Sequence, residues 1–382
     1  MGLRSKIKYW VRQFPFIVPP KIIDSCEEWI DDEGKRKGVY FSQRGPWYKT
    51  VFPEEFLHNG EPHTLGNPVP QAFQYNRNYP VNKATLFYLQ NSYLFGHKGF
   101  VLTAGHQLFQ EFSHHFNISS LRNFLWRNPF YIFSATARHI DGVGAVLVSP
   151  QSHNYYHWLS DVLPRIKLYE SVAGQVDHYC VASNVPDKFV EMLIEFGIPK
   201  KKVLLINEKE KLHFDHLYVS SLPGSEGRSP RWAVDYLRSK LIKTHSVAQH
   251  FRKIYFIRGA EAERRVLNED TVIAKLMDNG FEAVDPGALS LTDQIDMMQH
   301  AKIIVGVHGA ALSNLLFSAD GIAVIEIFSP DYFRTDCYYT LSSIRNLNYW
   351  YIVGDKPAGA AWGDITIPED LLIETIKKLN AD

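Results

Sequence analysis

Residues 303–317 read IIVGVHGAALSNLLF, and this stretch decides the fold class. The run IIVGV is apolar without alternation, as in a strand buried on both faces of a parallel sheet. His308 and Gly309 interrupt it, and AALSNLLF then opens a helix with small residues. A buried strand feeding a helix through a glycine turn is half of a βαβ unit. The alternation continues outward. Upstream lie the strand KIYFIR (253–258), the helix NEDTVIAKLMDNG (268–280), the short strand FEAV (281–284) and the helix SLTDQIDMMQHA (290–301), and downstream AVIEIF (323–328) is the next strand. Earlier in the chain GAVLVSP (144–150), HYCVAS (178–183), VLLIN (203–207) and HLYVSS (216–221) read as strands. A helix from Tyr155, DKFVEMLIEFG (187–197, with Gly197 as C-cap) and RWAVDYLRSKLIKTH (231–245) read as helices between and after them. Such alternation predicts parallel sheets.

One sheet with this many units would be large, and the stretch THSVAQHFRK after the long helix offers a break. The expected architecture is therefore α/β, with two Rossmann-like domains over residues 86–245 and 246–382. Residues 1–85, rich in Pro, Gly and Asn, read as an irregular lead-in. The final helix PEDLLIETIKKLN (368–380) is expected to pack back across either domain.

Composition narrows the function classes. Apolar residues make up 45% of the 382 and charged residues 21%, which excludes a mainly disordered chain. The 41 basic and 41 acidic residues cancel, so the basic excess of a nucleic-acid binder is missing. Cys26, Cys180 and Cys337 lie far apart with no CxxC pair, which argues against a disulfide framework or a Cys-rich zinc site and fits a reducing compartment. Aromatics reach 14%, which suits stacking on sugars or docking on a membrane, and equally an aromatic core. No apolar stretch approaches the length needed to span a bilayer, and the N-terminus lacks the h-region and cleavage site of a secretory signal. Residues 1–18 do carry Arg4, Lys6, Lys8 and Arg12 with Leu3, Ile7, Trp10, Val11 and Phe14 at helical spacing. That pattern suits a short basic helix on an anionic membrane surface, or one packed on the protein itself.

In open parallel sheets ligands bind beyond the carboxyl ends of the strands, so the loops there are where chemistry is sought. After GAVLVSP comes SHNYYHWLSDVLPR (152–165). Asn154 suits a helix N-cap, and His157 and Asp161 share a helical face four residues apart. Either can take a proton from an acceptor hydroxyl, or the pair can be a structural hydrogen bond. Pro164 should kink or end the helix. After KIYFIR come Arg264 and Arg265, and Asn268 can cap the next helix. With Arg258 at the strand end, guanidinium groups suit phosphate oxygens, whereas pairing of Arg264 or Arg265 with Glu261 or Glu263 would be purely local. After IIVGV, the turn Gly306, His308, Gly309, Ala310 leads into a helix whose N-terminus suits a diphosphate. His308 can donate to a phosphate or be a satisfied loop residue. Glu326 can accept from ribose or sugar hydroxyls, or pair with a neighbouring Arg. The GK[ST] of a P-loop, GxGxxG, GxSxG and a metal-holding DxD triplet are all missing, and Asp293 and Asp296 read as a solvated helix face. His114–His115 has no matching ligand spacing nearby and reads as surface.

Together these motifs resemble glycosyltransferase family 61. The family pattern Asn, two residues, His, three residues, acid is met by Asn154, His157 and Asp161. Its Arg-containing strand end and R-x-x-N-E are met by Arg258, Arg265, Asn268 and Glu269. Its G-x-H-G-A-x-L-x-N is met by Gly306, His308, Gly309, Ala310, Leu312 and Asn314. The matches cover residues 150–330. The resemblance implies a GT-B architecture with a central cleft and inverting transfer from a nucleotide sugar, often a UDP-sugar, to a glycan or lipid-linked glycan acceptor. It accounts for the missing DxD without a metal or other cofactor, while the balanced charge leaves nucleic acid out as a partner; from the side-chain chemistry, Asp161 is expected as the base with His157 orienting it or taking the role. A bacterial cytoplasmic enzyme of surface polysaccharide (capsule) synthesis, working beside the inner membrane, fits this picture. A non-catalytic nucleotide-sugar-binding protein and a sugar-nucleotide epimerase of GT-B form are the alternatives.

Overall fold

A computed structural model describes residues 21–37, 45–66, 73, 77–113, 136–224, 228–243, 251–259, 264–333 and 336–381. The basic segment 1–18 and His114–His115 lie outside the described residues. In chain order the first strands are β1 (Ile22–Ile23), β2 (Trp47–Phe52), β3 (Glu55–His58), β4 (Asn78–Val81), β5 (Ala84–Phe95), β6 (Phe100–Leu102), β7 (Leu108–Phe109) and β8 (Arg138–Val146). There follow β9 (His178–Ala182), β10 (Val203–Ile206), β11 (Lys211–Ser220), β12 (Arg252–Phe256), β13 (Phe281–Val284), β14 (Ala301–Val307), β15 (Ala323–Phe328) and β16 (Asn348–Val353). The chain forms two compact units. One takes residues up to Glu54 and Asn82–Pro223, the other Glu55–Val81 and Gly224–Asp382.

The first unit holds a nine-stranded sheet ordered β1-β7-β6-β5-β11-β8-β9-β10, with β2 paired to β5. It is mixed, which corrects the expectation of a parallel sheet. β8, β9 and β10 run parallel, and β11 is parallel to β8 but antiparallel to β5. The twelve-residue β5 also pairs antiparallel with β2 and β6. The hairpin β5–β6 turns at Gly96 and Gly99, both with positive φ, where a side chain would be strained. The stretch up to residue 85 is likewise not an irregular lead-in, since it contributes the helix Cys26–Lys37 and β1 to β4.

The second unit carries a five-stranded, wholly parallel sheet ordered β13-β12-β14-β15-β16. Its inner strands β14 and β15 are buried on both faces along nearly their whole length, as their unbroken apolar runs require; all six residues of β15 are buried. The helices between them begin with ordinary capping chemistry. Ser290 Oγ accepts from Asp293 N (3.1 Å) ahead of the helix Leu291–Gln299, and Glu269 and Asp270 favour the N-terminus of Glu269–Asp278. The helix Arg231–Leu241 also belongs to this unit, so the units part near residue 224 where the sequence suggested 245. The final helix Glu369–Ala381 stays with the second unit. Its Leu372 and Ile376 join the core of Val272, Ile303, Ile325 and Trp350, and Glu369 pairs with Lys275 at 2.7 Å.

The segment from Glu55 to Val81 is woven into this same unit. β3 pairs with β4, and His63 exchanges backbone hydrogen bonds with Tyr349 and Tyr351 on β16 (3.0 Å each). Phe73, 1% exposed, packs among the rings of Phe328, Phe333, Tyr339, Tyr349 and Tyr351. The high aromatic content is thus at least partly core. No helix among the described residues is long and apolar enough to cross a membrane.

Candidate active site

In the first unit the candidate residues follow the carboxyl end of β8. Asn154 is the N-cap of a short helix, Tyr155–His157, and its side chain accepts from Tyr156 N at 2.9 Å. The chain then widens into a π-helical turn over Trp158–Val162, closed by Leu163 N donating to Trp158 O at 3.0 Å. Pro164 explains the widening. It has no N–H to donate to Ser160 O, and its ring would crowd that carbonyl in an α-helix. As the proline requires, the helical ladder is interrupted at Leu163–Pro164, and the segment resumes as a new helix over Arg165–Tyr169.

This segment is anchored firmly. Arg165, 2% exposed, donates from Nε to Ser220 Oγ (2.9 Å), from Nη1 to Val148 O (2.9 Å) and from Nη2 to Ser220 O (3.4 Å). Tyr169 O–H donates to Val146 O (2.7 Å), and Trp158 stacks on Phe189. His157 and Asp161 are held between these anchors. His157 Nδ1 lies 2.7 Å from Asp161 Oδ2, while Ser160 Oγ donates to Asp161 Oδ1 at 2.8 Å. Both carboxylate oxygens are thus engaged, and Asp161 is 8% exposed. A carboxylate on Nδ1 fixes the imidazole tautomer with its basic nitrogen at Nε2. The arrangement leaves Nε2 as the ring nitrogen that can accept a proton and makes Asp161 the partner that orients His157.

In the second unit the strand order reverses between β12 and β14, and their carboxyl ends lie side by side, with Phe256 opposite Gly306. This is the crevice position of an open parallel sheet. Arg258 leaves β12 here, and its turn is tied down by Glu269. The carboxylate accepts from Arg258 N (2.6 Å), Gly259 N (3.0 Å) and Tyr255 O–H (2.9 Å). Burial first, then the Glu269 carboxylate, raises the Tyr255 pKa, which keeps it a donor. The Arg258 guanidinium lies against the backbone of Gly309, where a Cβ would collide with it. Gly309 has φ 169°, an extended conformation open to any residue, so close approach is what demands glycine. Ala310 begins a 3₁₀ run through Phe317, within which Asn314 is fully buried and donates to Ala311 O (3.1 Å).

His308 is 7% exposed and boxed by Phe328, Tyr332 and Tyr338 at ring separations of 5.3, 5.4 and 5.2 Å. Its Nδ1 meets Glu326 Oε1, and Tyr349 O–H donates to Glu326 Oε2 at 2.6 Å. Glu326 is 1% exposed with both oxygens engaged, so it orients His308 instead of offering an acceptor to ribose or sugar hydroxyls. Burial, and after it the Glu326 carboxylate, raises the Tyr349 pKa well above the usual phenol value.

The remaining arginines divide. Arg264 lies over the Tyr332 ring (4.6 Å), and its backbone carbonyl accepts from Arg258 Nε (3.3 Å). Arg265 turns away and clasps Asp364. Its N, Nε and Nη2 reach the carboxylate at 2.7, 3.0 and 2.6 Å, which holds the Asp364 carboxyl below its usual range. Asn268 occupies the N-cap position without a side-chain capping bond. Its amide bridges Ile367 O, Ile367 N and Glu369 Oε1 at 3.0, 2.9 and 3.1 Å. Arg265 and Asn268 thus fasten the strand-end loop to the C-terminal segment, and Arg258, Arg264, His308 and Gly309 gather at the crevice. Sequence reasoning missed Tyr332, Tyr338 and Tyr349. The only signal was the aromatic density of residues 328–351.

Residues 155–325 match the family model described as Glycosyltransferase 61. The resemblance carried by the three motifs is borne out over this span, with Asn154 and Glu326 one residue beyond its ends. Curated relatives include the EGF domain-specific O-linked N-acetylglucosamine transferases. The Drosophila melanogaster protein is 26% identical over 118 residues, 30% of this chain and 22% of its own length. The Mus musculus protein is 34% identical over 100 residues, 25% and 18% respectively, and the Rattus norvegicus protein 33% over 100 residues with the same coverage. The chain spans about a fifth of the length of these relatives.

Proposed function

We propose that the protein is an inverting glycosyltransferase of the two-domain GT-B kind, moving a sugar from a nucleotide sugar to an acceptor hydroxyl. One observation carries the reading: Arg258, His308 and Gly309 converge at the crevice where the strand order of the second sheet reverses. A diphosphate there would meet the Arg258 guanidinium, the free N–H groups at Ala310–Ala311 and the His308 ring that Glu326 orients. With Nδ1 donating to Glu326, a doubly protonated ring would donate Nε2–H to a phosphate oxygen. In the transfer, His157 Nε2 takes the acceptor proton, the acceptor oxygen attacks the anomeric carbon from the face opposite the diphosphate, and the sugar–phosphate bond breaks with its electron pair on the diphosphate. Charge growing on that leaving group is what Arg258 stabilises, without a divalent cation. The relatives' names make N-acetylglucosamine the first sugar to test, carried on UDP. As acceptor we favour a glycan or lipid-linked glycan, as in surface polysaccharide synthesis beside a membrane, with residues 1–18 as the peripheral contact.

The test is thermal stability against a panel of nucleoside diphosphates with and without EDTA, followed by product mass. Selective stabilisation that persists in EDTA, about 2.7 kcal/mol at a hundredfold excess over Kd, supports the donor site. Arg258→Ala should abolish it, and unchanged affinity removes Arg258 from the phosphate site. His157→Ala should lose transfer while donor binding survives, and near-wild-type turnover would reject the base. Only transfer shifts an acceptor's mass, so donor interconversion alone would point to an epimerase.

A further inference from the structure

Outside these residues, the first sheet brings a second set of ligating side chains together. We propose that His139, His213 and Asp215 form a binding site for one borderline divalent cation of the Zn²⁺ type. β8 and β11 are parallel neighbours, and their register sets His139 directly opposite His213. The register shifts between Phe214 and His216, where Asp141 and Gly142 of β8 face the single residue Asp215. Such a bulge re-aims side chains at a sheet surface. Gly142 has φ 92°, and Asp177 receives Val143 N at 2.8 Å, so the bulge is fixed in place. One ligand atom from each of His139, His213 and Asp215 falls within 4.8 Å of the others.

The spacing of His139 and Asp215 matches the chemistry. Tetrahedral bonds of about 2.0 Å to nitrogen and oxygen set the ligand atoms about 3.3 Å apart. His139 Nε2 and Asp215 Oδ2 stand at 3.2 Å. His139 Nδ1 lies 3.4 Å from Asp141 Oδ1, an outer carboxylate on the second nitrogen of a ligating imidazole, as metal-bound histidines commonly have. Tyr93 packs on the His213 ring at 4.8 Å and limits its rotation. Two imidazoles and one carboxylate favour Zn²⁺ or a neighbouring transition ion over Mg²⁺ or Ca²⁺, which take oxygen ligands. Water would complete the shell. The site lies at the amino ends of β8 and β11, whereas His157 and Asp161 follow the carboxyl end of β8, so it takes no part in the proposed transfer. A bound ion would clip the two strands together across the bulge.

The experiment is calorimetric titration of the untagged, chelator-stripped full chain with Zn²⁺ and separately with Mg²⁺. Expected is one Zn²⁺ per chain, no Mg²⁺ uptake, and a loss of more than about a hundredfold in Zn²⁺ affinity in His139→Ala and in His213→Ala. Circular dichroism checks the fold. Should His213→Ala fail to fold, the exposed His139→Ala decides. Absent or substoichiometric binding, equal uptake of Mg²⁺, or affinity unchanged in His139→Ala would each overturn the site. Nucleoside diphosphate binding by the same variants should stay at the wild-type level.

Discussion

Replacing Glu269 with glutamine isolates how the crevice turn is held. The native carboxylate accepts three hydrogen bonds, two on Oε1 from Arg258 N and Tyr255 O–H and one on Oε2 from Gly259 N. Glutamine keeps the shape and one acceptor. With its amide oxygen in the Oε1 position, the amide nitrogen faces Gly259 N–H, donor against donor. The reverse orientation would orphan two donors, one of them the hydroxyl of Tyr255, which is 0% exposed. The first orientation therefore wins. It loses one charge-assisted bond, softened by water because Gly259 is half-buried, and turns two others from charged to neutral. At about 1.5–3 kcal/mol for a charged and 0.5–1.5 kcal/mol for a neutral bond, the two weakened bonds together lose about 2–3 kcal/mol, and the Gly259 N–H, turned to water, adds little to that. For a unit of this size that is a fall in Tm of roughly 4–12 °C, read by scanning calorimetry of the full chain. UDP affinity should fall with it, because the Arg258 and Gly259 backbone follows that carboxylate. A Tm within about one degree of wild type would refute the hydrogen-bond reasoning. A lowered Tm with unchanged UDP affinity would separate the turn from donor binding.

Gly309→Ala should leave Tm nearly unchanged, since its extended backbone accepts alanine, but displace Arg258 and weaken UDP binding by about tenfold, or ~1.4 kcal/mol; equal affinity by titration would reject the contact. Glu369, held at about 2 chiefly by Lys275, then by Thr271, titrates well below its ordinary 4.5. Its contribution is present above about pH 4.5 and is lost as pH falls towards 2, so Glu369→Gln should flatten the acid limb of the stability profile in urea melts. Lys211 is lowered by burial from 10.5 to about 8, so the unfolded chain holds the extra proton between those values. Stability should rise with pH across that window, and Lys211→Met should remove the rise; an unaltered slope would show that Lys211 does not cause it.

The βαβ run of the second sheet was legible because strands buried on both faces carry unbroken apolar stretches. Caps such as Asn154 and the Gly197 turn were legible because their chemistry is local. The three motifs at strand ends were found by the same logic. The antiparallel pairing in the first sheet was not, since an apolar run marks a strand but not its direction, and β2, like β3 and β4 of the second unit, is short and lies among Pro, Gly and Asn, which mark loops equally well. β16, NYWYIV, escaped because its aromatic residues show no helical or alternating period. The roles of Arg265 and Asn268 were hidden by distance along the chain. Their partners Asp364 and Ile367 lie 99 residues away, beyond the reach of any spacing rule. Glu326 was misread because only the fold places His308 and Tyr349 on its two oxygens.

The excursion of Glu55–Val81 into the second unit sets rules for dividing the molecule. The backbone passes from one unit to the other at 54/55, at 81/82 and at 223/224, so neither unit is a contiguous gene fragment. An expression clone beginning at 224 would leave out Phe73 and the strand edge that His63 lays against β16, opening a ring-lined hole in the core of the half it was meant to retain. Chimaeras that exchange the second unit between relatives therefore need three junctions rather than one. The excised half folds alone only if the early segment is spliced back onto it.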